Sequence, residues 1–195
     1  MLPTISYLDV YHHIHTKTTH SVGKIQLLLD NDDGSAPDAL YVFLNEIEDI
    51  FRRNQISAFT TIATYRIELL NARTAIDQRI PQKKYQLDTT SALIPNITQT
   101  VSEVLKPIET KINTARNIIK TLIFTAYDSN IITSVPPKNF TEMATNLWAL
   151  FINHDSFKEK AFKVAKALPQ DDILMLICEE VYAMSVKISS SPVRF

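Results

Sequence analysis

The sequence predicts an all-α fold, an irregular bundle of about six or seven helices, on three observations. Only two glycines, Gly23 and Gly34, stand among 195 residues, whereas a fold of tight hairpins or βα turns needs many positions with positive φ. Apolar residues recur at helical spacing along most of the chain. The nine prolines fall mostly between those apolar-periodic stretches, as breaks between helices rather than parts of them.

A first helix is expected from about Thr4 to Thr19, with Tyr7, Leu8, Tyr11 and Ile14 on one side. A short apolar turn, Ile25 to Leu29, follows, and Asp30-Asn31-Asp32-Asp33-Gly34 closes the piece. Ser35 ahead of Pro37 is a start signal for a long helix near 37–79 that ends before Pro81. Leu40, Phe43, Leu44, Ile47 and Phe51 carry its apolar face, and Ile62, Tyr65, Leu69 and Ile76 resume it. If that helix breaks, the uncharged run Asn54-Gln55-Ile56-Ser57 is where it breaks.

A second long helix is expected near 96–127, where Ile97, Val101, Val104, Ile108, Ile112, Ala115, Ile119 and Leu122 advance by threes and fours. Pro107 in its middle predicts a kink or two helices in succession. Beyond Ile118 the polar face almost vanishes, which predicts a central segment enclosed on several sides. β-branched residues are frequent here, so a short hairpin pairing Thr121-Leu122-Ile123-Phe124 with Ile131-Ile132-Thr133 is the competing reading of 117–135.

Asn139 with Glu142 resembles a capping box ahead of Met143, Leu147, Trp148 and Phe151. A shorter helix from Ser156 to Leu168 stops at Pro169. Asp171 and Asp172 then suit the positive end of a last helix that continues through Val181 and Met184. The domain reading is one helical domain over 1–188, with 139–188 as a candidate C-terminal subdomain and 189–195 as a flexible tail.

Composition narrows function mainly by exclusion. Lys+Arg 20 against Asp+Glu 21 leaves a net charge of -1, so the overall field predicts neither a nucleic-acid partner nor attraction to an anionic membrane. Cys178 is the one cysteine and lies in an apolar run, where a free thiol packs as a small hydrophobe. No signal-peptide pattern and no uncharged apolar run near 20 residues is present, so no membrane insertion is expected and the expected location is cytoplasmic. Two glycines exclude Rossmann and phosphate-loop enzymes, and Ser21-Val22-Gly23-Lys24 lacks the rest of a phosphate loop.

Four groups invite a chemical or ligand-binding reading. Asp9, His12, His13 and His15, with His20 nearby, have the donor types zinc selects. On a helix, however, Asp9/His13 and His12/His15 share faces pointing in different directions. His154-Asp155 resembles the central pair of the all-helical metal-dependent phosphohydrolases known as HD domains. That family's site needs a further upstream His and a downstream Asp, and His20 and Asp171 stand at a spacing unlike that order; Asp155 reads instead as the cap of the helix that follows. The loop Asp30 to Gly34 fails as an EF-hand, because Leu29 and Leu40 occupy the first and twelfth positions. Lys158, Lys160, Lys163 and Lys166 form the strongest basic patch, and Glu159, four residues before Lys163, answers it with a local ion pair.

The favoured function is a non-enzymatic helical interaction module, an adaptor or a subunit of a larger assembly, with no cofactor and with one or more proteins, or a second copy of the chain, as partner. Phe140, Met143, Leu147, Trp148, Phe151, Phe157 and Phe162 form the expected partner surface, since the apolar set around Trp148 is broader than one helix face requires. The alternative is a small all-helical metal-dependent hydrolase using His12, His13 and His15 or the pair His154-Asp155.

Overall fold

A computed structural model describes residues 6–74, 81–131 and 140–190, and among these the chain is all-α, with seven helices and no strand. They are α1 (Tyr7–Asp30), α2 (Ala36–Arg53), α3 (Phe59–Thr74), α4 (Gln82–Asp128), α5 (Phe140–Asn153), α6 (Asp155–Ala167) and α7 (Gln170–Ser190). The chain divides into two compact units, Asp9–Ile108 and a second formed by Met1–Leu8 with Glu109–Phe195. The division falls within α1 and within α4, so each of these helices contributes to both units.

Three helix ends explain how a chain with two glycines turns so often. At the end of α2 the amide of Gln55 donates to Arg52 O and that of Ile56 to Phe51 O, the paired bonds of a Schellman motif. Its left-handed residue, where glycine is usual, is Gln55 at φ 57°. The same pairs recur after α1, from Asp32 to Leu29 O and Asp33 to Leu28 O, and after α4, from Asn130 to Tyr127 O and Ile131 to Ala126 O. There the left-handed residues are Asp32 at φ 51° and Asn130 at φ 54°.

These ends correct several sequence expectations. The helix expected near 37–79 is two helices, α2 and α3, and the break falls at 54–58, on the run Asn54 to Ser57; residues 75–80 lie outside the described residues. The first helix does not stop near Thr19, because α1 continues through Gly23 to Asp30. Burial of Ile25 at the same helical face as Ile14 outweighs the roughly 1 kcal/mol a mid-helix glycine costs. α4 begins at Gln82, not at 96, and contains both Pro95 and Pro107. Both prolines are exposed, as are Ser91 and Glu103, whose carbonyls lose their amide partners; water can serve those carbonyls, and the buried residues Leu93, Ile94, Ile97, Val101 and Leu105 hold the helix together across them. Thr121 to Phe124 are helical, which removes the hairpin; Ile132 and Thr133 lie outside the described residues, as does Asn139 of the expected capping box.

In the unit Asp9–Ile108 the core is one cluster drawn from four helices. Val10, Ile14 and Ile25 of α1 join Leu40, Phe43, Leu44, Ile47 and Phe51 of α2, Ile62 and Leu69 of α3, and α4 residues from Leu93 to Leu105. Glu48 is buried beside it and is held between Arg52, at 2.6 Å, and Arg66, at 2.9 Å. A carboxylate taken out of water requires such partners.

The other unit packs α5 against α6 and α7. Its interior includes Ile119, Leu122, Ile123 and Ala126 of α4, Ala144, Leu147, Trp148 and Phe151 of α5, Phe157 and Val164 of α6, and Ile173, Leu176, Ile177 and Val181 of α7. Phe151 and Phe157 meet edge to face at 5.5 Å. The end of α4 is not enclosed as expected, since Phe124 and Tyr127 are exposed beside the buried face. α7 extends to Ser190, through the first two residues of the expected tail; 191–195 lie outside the described residues.

Candidate interaction surface

The histidine-rich stretch does not assemble a site. Asp9, His12, His13, His15 and His20 are all exposed on α1. His12 and His15 lie against Tyr11, edge-on and stacked respectively, each with ring centroids 5.7 Å away. Among the described residues no group of three or more His, Cys, Asp or Glu side chains could hold a metal ion.

His154 has a local task that the sequence assigned to its neighbour. Its amide donates to Leu150 O, ending α5, and its Nδ1 accepts from the amide of Ser156 at 3.3 Å. His154, not Asp155, is therefore the N-cap of α6, because its extended backbone sets the ring back over the first free amides. Asp155 is exposed in the first turn, where the helix dipole favours a carboxylate. Two of the four lysines of the basic patch on α6 are engaged locally: Lys163 pairs with Glu159 at 2.8 Å, and Lys166 lies over the Phe162 ring at 4.6 Å.

The residues proposed to face a partner separate into two sets. Leu147, Trp148, Phe151 and Phe157 are interior, with Trp148 only 5% exposed. Phe140 and Met143 are half-buried, and Phe162 is 60% exposed. The breadth of the apolar set on α5 is thus used largely by burial against α6 and α7. Sequence pattern could not separate core from surface on a helix covered along more than one face.

Exposed apolar side chains nevertheless lie on α7, which packs against α5. Met175 and Tyr182, seven residues apart and so on one helical face, are 49% and 61% exposed. Tyr182 meets Phe140 edge to face at 6.1 Å. Between them Cys178 donates its thiol hydrogen to Phe140 O at 3.4 Å, and burial, then the nearby Glu179 carboxylate, push that thiol above its ordinary pKa. Only the spacing of Met175 and Tyr182 signalled this face in the sequence, and it is indistinguishable there from a continuation of the core face. Phe124 and Tyr127 near the end of α4, and Ile131 just beyond it, are also exposed.

Among the described residues no helix is long and apolar enough to cross a membrane. Compared with known proteins, the chain matches no protein-family model, no curated protein and no solved structure.

Proposed function

We propose that the chain is a non-enzymatic helical interaction module, an adaptor or a subunit of a larger assembly acting in the cytoplasm, and that it binds protein through the solvent face of α7. The carrying observation is that Met175 and Tyr182, both about half or more exposed, share one face of α7, and that Tyr182 meets the half-buried Phe140. Single exposed apolar residues are ordinary, but a methionine and two aromatics grouped in this way have the composition of a binding hot spot. Of the apolar residues on α5 and α6, Phe140 belongs to this surface, while Trp148 and Phe157 belong to the interior of the unit.

The test places a photo-crosslinking amino acid at Tyr182 in the full chain, expressed in its own cells, with Met175→Glu as the control. A discrete adduct that disappears with Met175→Glu, while the melting temperature is unchanged, supports the reading. An adduct indifferent to Met175→Glu, or none at Tyr182, overturns it.

A further inference from the structure

A second surface lies in the unit Asp9–Ile108, between α1 and α2. The two helices are antiparallel across the 31–35 connection, and between them runs a groove of about 460 Å³. On α1 it is lined by Lys17, His20, Ser21, Lys24, Ile25 and Leu28, at steps of three, one, three, one and three. That spacing follows a single helix face over about 16 Å, at 1.5 Å per residue. Ala39, Val42 and Phe43 of α2 complete its apolar floor, with Val42 55% exposed.

The charges along the two edges are not equally available. On α2, Asp38 is paired with Arg73 and Glu46 with Lys17, at 2.7 Å in the latter case. On α1, Lys24 and His20, four residues apart and both exposed, have no ion-pair or hydrogen-bond partner among the described residues. The groove therefore presents an apolar floor, an acidic edge already neutralised, and on the α1 edge one unpaired positive charge, Lys24, with the unpartnered imidazole of His20 one turn before it. Its volume is drawn out along three turns of helix rather than gathered into a cavity, which suits an elongated occupant more than a compact small molecule.

We infer that the α1–α2 groove docks an amphipathic helix of a partner protein, whose apolar stripe covers Leu28, Ala39 and Val42 and whose acidic flank meets Lys24 and His20. The apolar stripe supplies the buried area, and the acidic flank fixes orientation and rejects basic helices. This surface is separate from the α7 patch and does not depend on it.

The experiment uses the full chain, isotopically labelled, and a synthetic helical peptide of roughly 14 residues, enough to span the groove. The peptide carries leucines at helical spacing and glutamates along one flank; its counterpart has lysine at each glutamate. The expected result is that the acidic peptide shifts amide resonances of Leu28, Ala39 and Val42, and that the basic one does not. Lys24→Glu should weaken binding by about five-fold, the size of one exposed charge pair, and added salt should weaken it further. Val42→Glu should abolish binding, with circular dichroism confirming that both variants remain folded. Equal binding of the two peptides, shifts confined to the α7 patch, or no shifts at millimolar peptide would each overturn the inference.

Discussion

Asp172, in the first turn of α7, caps the start of α1 from 165 residues away: its carboxylate accepts from the Tyr7 amide at 2.7 Å and from the Ser6 hydroxyl at 2.6 Å. A longer bond of 3.4 Å reaches the Leu8 amide. These are donors that a helix start otherwise leaves without partners. The side chain is buried, and it does for α1 what a local Ser or Asp cap would do. It ties Ser6, Tyr7 and Leu8 to the unit built from the C-terminal half of the chain.

Asp172→Ala should therefore destabilise that unit by about 2–3 kcal/mol, the usual cost of stranding buried donors of charge-assisted hydrogen bonds. Asp172→Asn, which keeps an acceptor and loses the charge, should cost less. Urea denaturation measures the first effect. Hydrogen exchange at the Tyr7 and Leu8 amides locates it, since their protection should fall in the alanine variant before that of the α2 core.

Gln55→Gly should raise stability by about 1 kcal/mol. Gln55 occupies a left-handed conformation at φ 57°, which costs an L-residue roughly 1–2 kcal/mol relative to its ordinary backbone; part of the gain is returned as glycine's greater freedom in the unfolded chain. Chemical denaturation of the two proteins decides the sign, and a loss of stability would mean that the Gln55 side chain contributes more than its backbone costs.

Those same two sites mark where the sequence could and could not be read. Helices were legible because their apolar period and the shortage of glycine agree, and Asn54 to Ser57 was visible as the one uncharged interruption in a long pattern. The three glycine-free Schellman ends were not legible, since Asp32 and Asn130 are of types that tolerate positive φ but occur as readily elsewhere, and Gln55 gives no sign of it. Pro95, just ahead of the helix expected near 96–127, is no boundary: on the exposed side of a helix with a continuous buried face, its missing amide is tolerated. Asp172 suits the dipole of its own helix, and nothing in the local sequence shows its reach to Tyr7. The candidate surface was half legible: pattern located the apolar cluster around α5, but which members are covered depends on α6 and α7.

Thr18→Val should stabilise the unit Asp9–Ile108 by about 1 kcal/mol. The Thr18 hydroxyl is buried with no hydrogen-bond partner among the described residues, and an unmatched buried hydroxyl costs on the order of 1–3 kcal/mol. Valine keeps the shape and removes the unmet group. Thermal unfolding reads the difference, and an unchanged or lower midpoint would show that the hydroxyl is satisfied.

Cys178 should alkylate more slowly at neutral pH than a free cysteine, because burial and Glu179 raise its pKa and the thiolate is the reacting form. Iodoacetamide labelling followed by mass spectrometry between pH 7 and 9 gives the rate, and Glu179→Gln should increase it modestly by removing the lesser cause. The sign for stability follows from the same shift. Above the unfolded cysteine's pKa of about 8.5 the unfolded chain releases this proton first, so the contribution of Cys178 to stability falls as pH rises from there.

Trp148 distinguishes an interior role from a binding role. It is 5% exposed and is the one tryptophan in the chain, so its fluorescence should be shifted to the blue of free tryptophan in water and should move to the red on unfolding. Trp148→Ala removes a large buried side chain and should cost about 3–5 kcal/mol, because the surrounding helices close only part of the cavity. Tyr182→Ala, at a position 61% exposed, should change stability by roughly 0.5 kcal/mol or less. The pair is measured together by denaturation and by partner crosslinking at Met175. If Tyr182→Ala removes the crosslink at an unchanged melting point while Trp148→Ala loses both together, the binding face is on α7 and Trp148 acts through the stability of the core. If Trp148→Ala instead abolishes crosslinking in a protein of undiminished stability, the α5 face opens to meet its partner and the binding surface must be redrawn around Trp148 itself.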